Sequence, residues 1–478
     1  MKFGERIETV ITGLDEKGRG NGAFSGKTVI VPLALPGETV VGEFAGKDKG
    51  KIKLTNVVIN KTSPDRAEPP CPYFGRCGGC ALQHLKPSAQ ASFKLSLIER
   101  AFKETLIEIP IDASAESAGP VAATEAARVG REGSPVGEAS VAAAGPGRLI
   151  EAPKKLHYRN RMDFVFGPQG ELGLKEAGRW DSHVNLESCL LVSNEVDECR
   201  NRVATWARAT GLPFWDNRKY RGYFRYLVLR EGRRTGERMA TLVTAAGELP
   251  ESARASLVET LAPLCTTIYH GINPKVTDLS ISEELRLLHG LPRLHEQVGD
   301  VKYAIHPNSF FQTNTEMAER LLEHVRSLVL AGPHQKVLDL YCGSGFFSLG
   351  LARDADETLG IELDAFAIKS AQENADLNGI KNARFRAEPA ETLSWGVEKP
   401  DVTIIDPPRS GLHPKVRNAL KAGKPPRIIY VSCNPKALAF DLKELLREYD
   451  LVSLRAFDLF PQTAHVETVV ELKLKSQL

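Results

Sequence analysis

No stretch of this sequence carries the uninterrupted apolar run of about 20 residues that a bilayer-spanning helix needs. The opening residues, MKFGERIETV, also lack the apolar core of a secretion signal. A cytoplasmic location with no membrane partner is therefore the expectation. An excess of one charge is missing too. Lysine and arginine number 62 against 60 acids, a net charge of +2, so any surface for a polyanion has to be local. Cysteines are few, eight in 478 residues, yet three of them crowd into CPYFGRCGGC. In a chain that nothing directs to an oxidising compartment, such crowding points to metal binding or catalysis ahead of disulfides.

A chain of this length exceeds what one core organises, which predicts two or three domains. Residues 1–60 alternate apolar and polar positions in the runs ETVITGLD, GKTVIVPLAL, ETVVGEFAG and KIKLTNVVIN, between glycine-rich turns. That pattern predicts a small five-stranded β-barrel. Its order and the turn GRGNG (18–22) resemble the TRAM domain, an OB-like barrel that binds RNA; an ordinary β subdomain would show the same periodicity. Residues 61–300 read as a mixed α+β central domain, with strand-like runs such as RMDFVFG and RMATLVTAAG. Within it, residues 112–148 are rich in Ala, Gly, Ser, Pro and Glu without a sustained period, which predicts a disordered insertion carrying no chemistry. The segment RKYRGYFRYLVLREGRR interleaves basic and aromatic residues, as an RNA-contacting strand would; the solvent face of an amphipathic strand would look the same.

Residues 301–478 carry the clearest signal. The runs VLDLYCGSG, ETLGIELD, ARFRAE, VTIIDPPRSG and RIIYVSCNP alternate with helical stretches. Such alternation specifies a Rossmann-like, doubly wound parallel sheet, and so an α/β fold. Ligands of these sheets sit beyond the carboxyl ends of the strands. Gly343 and Gly345 lie there after VLDL, and Glu362 ends the next strand, placed to accept hydrogen bonds from a ribose. Nicotinamide and S-adenosylmethionine enzymes share that pairing. The ending DPPR, with Asp406 before two prolines, resembles the DPPY-like motif of methyltransferases acting on planar nitrogen or base substrates.

One strand further, YVSCNP sets Cys433 on the same rim as Asp406. A thiolate there can activate a pyrimidine by adding at carbon 6, provided that a base later removes the carbon 5 proton. Glu467, in FPQTAHVETVVEL, lies just before an apolar run, where burial would raise its pKa. Alone, each has a plainer reading, an inert small hydrophobe and a surface acid. Together with SFFQTN, DLYCGSG, IELD, IIDPPRSG, YVSCNP and FPQTAHVETVV in this order, the chain resembles the RNA uracil-5-methyltransferase family. The resemblance implies S-adenosylmethionine as methyl donor, Cys433 as nucleophile and Glu467 as proton acceptor. It also implies that Gln312, Tyr341, Glu362 and Asp406 line the cofactor and uracil pocket. Phe346, beside the glycine turn, and Pro389 stand where family members often carry polar residues, so adenosine contacts there are expected to differ.

Cys71, Cys77 and Cys80, spaced C-x5-C-x2-C, suit zinc or an iron–sulfur centre with a fourth ligand still to be supplied. In the family branch that modifies large ribosomal RNA, this spacing plus a distant cysteine binds a four-iron four-sulfur cluster, and Cys189 matches that position. Cys199 is the competing ligand, and His84 reads as a packing residue. Barrel and cluster together favour 23S ribosomal RNA over transfer RNA as substrate, with no obligate protein partner. The competing readings are transfer-RNA methylation, cytosine-5 methylation and a catalytically silent RNA-binding or assembly factor.

Overall fold

The computed structural model describes residues 1–107, 149–330, 332, 335–393 and 395–476; the insertion expected at 112–148 lies outside the described residues. At the N-terminus, Ile7, Thr9 and Ile11 alternate inward along Arg6–Leu14. This strand pairs with Gly20–Phe24 and Thr39–Asp48; Lys27–Val31 and Lys51–Lys61 complete a closed five-stranded barrel. Ile7, Ile11, Val29, Val31, Val40, Ile52 and Leu54 fill it. The GRGNG turn works by close approach: a Cβ on Gly22 would stand 2.5 Å from Thr9 Oγ1 and 2.6 Å from the Val10 carbonyl.

A seven-stranded mixed sheet follows, in the order Glu284–Gly290, Thr267–Ile272, Arg238–Thr244, Phe224–Glu231, Arg161–Phe166, Leu172–Lys175, His183–Asn185. Helices Asn194–Ala209 and Glu251–Leu261 contribute to its core. The central strand Phe224–Glu231 is buried along its whole length. The reading of the basic and aromatic segment as an RNA contact is therefore corrected for Phe224–Glu231. Arg225 spends its guanidinium on the carbonyls of Asn273 and Lys275, both at 2.7 Å, and Arg230 reaches the Ser309 carbonyl. Buried guanidinium groups need such partners, so charge in this strand reports internal bonding.

The C-terminal sheet has eight strands. In spatial order they are Ala383–Ala387, Glu357–Glu362, Lys336–Leu340, Val402–Ile405, Arg427–Ser432, Glu467–Leu474, Tyr449–Phe457 and Leu149–Ile150. The first five run parallel, and Glu467–Leu474 is antiparallel to both neighbours. The winding reverses between Lys336–Leu340 and Val402–Ile405, which opens a crevice beyond their carboxyl ends. Two pieces of the expected central region pack here instead. Helix Pro87–Glu104 lies on helix Pro435–Leu445, and Leu149–Ile150 pairs beside Ala456–Phe457, so that Ile98, Phe102 and Leu149 share a core with Leu438 and Leu442. An edge strand of two residues has no periodicity to read.

Candidate active site

Cys433 follows the strand Arg427–Ser432 and precedes Asn434, whose side chain caps helix Pro435–Leu445 by accepting the Lys436 N–H at 3.2 Å. The thiol thus stands at a helix N-terminus, whose partial positive charge favours a thiolate. Across the sheet, Ser432 is registered with Thr468. Cys433 follows Ser432 on one side of that last pair, and Glu467 precedes Thr468 on the other. Burial pushes the Cys433 thiol up to about 11, with the Glu467 and Asp406 carboxyls adding to the rise and Arg409 opposing it. Glu467 is itself held well above the ordinary carboxylate range, by burial first and then by Asp406. Asp406 is raised to about 7 by burial and Asp339. Three carboxyls and a thiol therefore meet with few countercharges, which is how proteins set an acid or base to work near neutrality.

Two neighbours were not singled out in the sequence. Arg409, three residues after Asp406, donates from Nη2 to His465 Nδ1 at 3.1 Å, which leaves the His465 proton on Nε2. Burial holds His465 down at about 4, and Arg409 adds to the effect, so it is neutral at physiological pH. Both lie within motifs already quoted, DPPRSG and QTAHVE; a cation beside so many acids was the signal available. Arg409, Cys433, Asn434, Lys436 and His465 line an open cleft of about 460 Å³ with Glu16 and Lys17 of the barrel and Gly78 and Gly79 of the cysteine-rich loop. Lys436 and Glu16 pair at 2.5 Å across its mouth.

The segment that delivers His465 and Glu467 is held from outside. Lys94 pairs with Asp458 and donates to the Phe460 carbonyl at 2.9 Å. Tyr158 Oη donates to the Pro461 carbonyl at 3.0 Å. The Gln462 carbonyl accepts the N–H groups of Ala81 and Leu82 at 2.9 and 3.0 Å. Gln462 has φ 66°, in the left-handed region. Distant sequence thus shapes the catalytic loop.

A second pocket opens at the crevice, lined by Tyr341, Ile361, Glu362, Leu363, Pro389 and Glu391. Glu362 accepts the N–H groups of Gly343 at 3.3 Å, Leu363 at 2.7 Å and Asp364 at 3.1 Å. Gly343 has φ 53°, and a Cβ built on it would meet nothing within 4 Å, so its backbone faces open space. Gly345 caps the short helix Phe346–Leu351 at φ 87°. The Phe346 ring packs into the core against Phe347, Tyr303 and Phe311, so any ligand contact from this residue would be through its backbone. Gln312 is buried, with its carbonyl held by Asn160 Nδ2 at 2.9 Å. Beneath the pocket, Asp339 accepts the Ser348 N–H at 2.9 Å and its hydroxyl at 2.6 Å.

Cys71, Cys77, Cys80 and Cys189 line one further pocket, with Tyr73, Phe74 and Gln83. All four are free thiols. Burial, with lesser repulsion from the other thiols, raises Cys80 to about 12 and Cys189 to about 11. Four thiols gathered this way become ligands only where a cation offsets that cost. Among the described residues, no group of three or more His, Cys, Asp or Glu side chains is arranged to hold a metal ion. Cys199 points elsewhere, its sulfur 3.6 Å from that of Cys265. His84 packs against Phe74, with ring centroids 5.2 Å apart.

Comparison with known proteins agrees with this geometry. The family described as tRNA (Uracil-5-)-methyltransferase matches residues 292–401 and 397–475. A Pyrococcus horikoshii tRNA (uracil(54)-C(5))-methyltransferase is 34% identical over 93% of this chain and 95% of its own. An uncharacterized RNA methyltransferase of Nanoarchaeum equitans is 33% identical over 98% of this chain and 93% of its own. The crystal structure of Pyrococcus abyssi tRNA (uracil-54, C5)-methyltransferase, in complex with S-adenosyl-L-homocysteine, superposes with a TM-score of 0.75 at 29% identity, covering 98% of this chain and 100% of that one. With full-length relatives of this kind and a cysteine beside a buried glutamate, the chain belongs to the RNA uracil-5-methyltransferase family.

Proposed function

We propose that this protein makes 5-methyluridine in RNA through a transient bond from Cys433 to the uracil ring, with S-adenosylmethionine as methyl donor. The observation that carries this reading is the juxtaposition of Cys433, which lines the cleft, with the buried carboxyl of Glu467. The Cys433 thiolate adds to carbon 6, and the electrons of the C5–C6 double bond move to the carbonyl at carbon 4. Arg409 is the cation that opposes the charge cost at the thiol. Carbon 5 then takes the methyl group, after which Glu467 accepts the carbon 5 proton and the returning electrons expel the thiolate. S-adenosylmethionine supplies an electrophilic methyl on a sulfonium. Tyr341, Glu362 and the open backbone at Gly343 would hold it, and Asp406 joins this pocket to the thiol.

The thiols of Cys71, Cys77, Cys80 and Cys189 fit a soft-metal centre. Ligands of a four-iron four-sulfur cluster each bind a different iron and so stand further apart than ligands of one zinc ion. The gathering of the four thiols in one pocket supports a soft-metal centre, which we read as the cluster that the family resemblance implies. Its role would be structural, stiffening the loop that walls the cleft, and the reaction needs no redox step.

For the acceptor we favour transfer RNA. The ribosomal reading relied on the N-terminal barrel and cysteines being unusual among transfer-RNA enzymes. A relative named for uridine 54 of tRNA covers 98% of this chain, barrel included, so the barrel no longer separates the two. The gathered thiols keep 23S ribosomal RNA as the second reading. We read residues 1–60 as a TRAM-like RNA-binding barrel in either case. Mapping 5-methyluridine across cellular RNA with and without this protein tests the proposal: loss at a transfer-RNA site supports the first acceptor, loss at a 23S site the second, and no loss overturns both.

A further inference from the structure

We propose that Trp180 and Tyr220, on two adjoining loops of the central region, form a stacking platform for a single-stranded part of the substrate RNA. The inference rests on the RNA reading above and names a surface that carries it. Both rings lie mostly in solvent, Trp180 at 57% and Tyr220 at 58% exposure. Large aromatics held out in water at this level mark binding surfaces when they occur together. The loops are tied to one another: Arg218 donates to Asp181 from Nε at 2.7 Å and from Nη2 at 2.5 Å. Tyr220 is held at φ 52° by a turn in which Asp216 N–H donates to the Arg221 carbonyl at 2.8 Å.

The charges around the rings are layered. Arg179, Arg218 and Lys219 stand 52%, 61% and 62% exposed, while their partners Asp181 and Asp216 are recessed at 18% and 19%. The acids orient the cations and leave their outer N–H groups free to face a polyanion. Bases present a π-face to an aromatic ring whatever their identity, and phosphates meet the cations between them. This arrangement fits single-stranded RNA better than a duplex, whose bases are already stacked.

The loop bearing Trp180 is bonded to the loop that forms one wall of the cleft. The Gly78 N–H donates to the Lys175 carbonyl at 2.9 Å and the Ala177 N–H to the Arg76 carbonyl at 2.8 Å. The loop bearing Trp180 is thereby an extension of the cysteine-rich loop, whose Gly78 and Gly79 line the cleft beside Cys433. A strand of RNA with its target uridine at Cys433 has a backbone-linked path to the two rings.

The test uses the full chain with Trp180→Ala and Tyr220→Ala combined, and a fluorescein-labelled oligouridine as probe. Fluorescence anisotropy should show affinity falling about tenfold or more, as expected for the loss of base stacking on two rings. Trp180→Phe with Tyr220→Phe should restore most of it, and the melting temperature should stay at the native value because neither ring is packed. Transfer of methyl to a tRNA transcript at saturating RNA should keep its kcat while KM rises. An affinity within about twofold of native overturns the platform. If that result comes with normal methyl transfer, the platform alone fails; if the native protein binds oligouridine through these rings but transfers no methyl to any RNA, the catalytic reading fails and the platform stands.

Discussion

Cys433, the residue after strand Arg427–Ser432, lies close enough to Glu467, the first residue of the neighbouring strand, for the carboxyl to push the thiol up. The register of the adjoining ladder, which ends at Ser432–Thr468, fixes where Glu467 sits, because slipping it by one residue would turn every side chain of Glu467–Leu474 to the opposite face. If these two residues carry the proposed roles, several outcomes follow.

Removing the sulfur should abolish both methyl transfer and covalent capture. Native protein incubated with 5-fluorouridine RNA should form a species stable on a denaturing gel, since fluorine at carbon 5 cannot leave as a proton. Cys433→Ala should form none while folding normally, because the side chain is only half-buried. An adduct persisting in this variant would place the nucleophile elsewhere.

Glu467→Gln should separate the two halves of the reaction. Addition and methylation need the thiolate, whereas release needs the base. Ordinary uridine RNA should therefore accumulate as a covalent complex, with turnover slowed by about 10²–10⁴-fold, the usual worth of general base catalysis. Turnover at the native rate would remove Glu467 from its role.

The pH dependence of adduct formation follows from the thiol. With burial holding Cys433 up at about 11, the thiolate fraction grows as pH rises through neutrality, and the rate of adduct formation in stopped-flow assays should climb with it. Arg409→Met removes the cation opposing that rise, so its profile should shift to higher pH and its rate at pH 7 should drop. A flat profile between pH 6 and 9 would contradict this account.

Acid stability has a different origin. Burial depresses His270 and His324 to about 4, with Arg286 and Arg455 adding to the effect. Their ordinary value in an unfolded chain is about 6.5. The unfolded state therefore binds more protons below that value, so the stability these histidines contribute is complete above about 6.5 and is lost as pH falls towards and through about 4. Asp339, raised to about 7, acts oppositely, favouring the fold at low pH and losing that contribution as pH rises through 7. Urea midpoints compared between the native chain and His324→Phe from pH 8 to pH 4 should show the variant gaining on the native chain as pH falls below about 6.5.

The buried Lys94–Asp458 pair anchors the segment before Glu467. Lys94→Met leaves Asp458 buried beside one remaining cation, Lys155 at 3.2 Å, and should cost about 3–5 kcal/mol in chemical denaturation. Adding Asp458→Leu should recover much of the loss. If the single variant is as stable as native, the catalytic loop is held by its other contacts.

Much of this site was legible in the linear order of residues. Strand endings such as DPPR and SCNP place chemistry at the carboxyl rim of a parallel sheet, and alternation of burial along residues 1–60 was enough for the barrel. The strand around Arg225 was not legible, because a buried arginine bonded to carbonyls and an exposed one awaiting phosphate have the same letter.

The amino-acid sequence by itself determined the strand–helix alternation of the C-terminal sheet and the close spacing of Cys71, Cys77 and Cys80, since each rests on local pattern; that Cys189 shares their pocket is a fact of the tertiary structure. Only tertiary structure decided that residues 81, 82, 94 and 158 grip the loop bearing the base, that Arg409 binds His465, and that Glu16 of the barrel closes over the cleft. These pairs join residues far apart in the chain. Chain closure and packing bring them together, and no local periodicity encodes a contact whose partner is set by how separate layers dock.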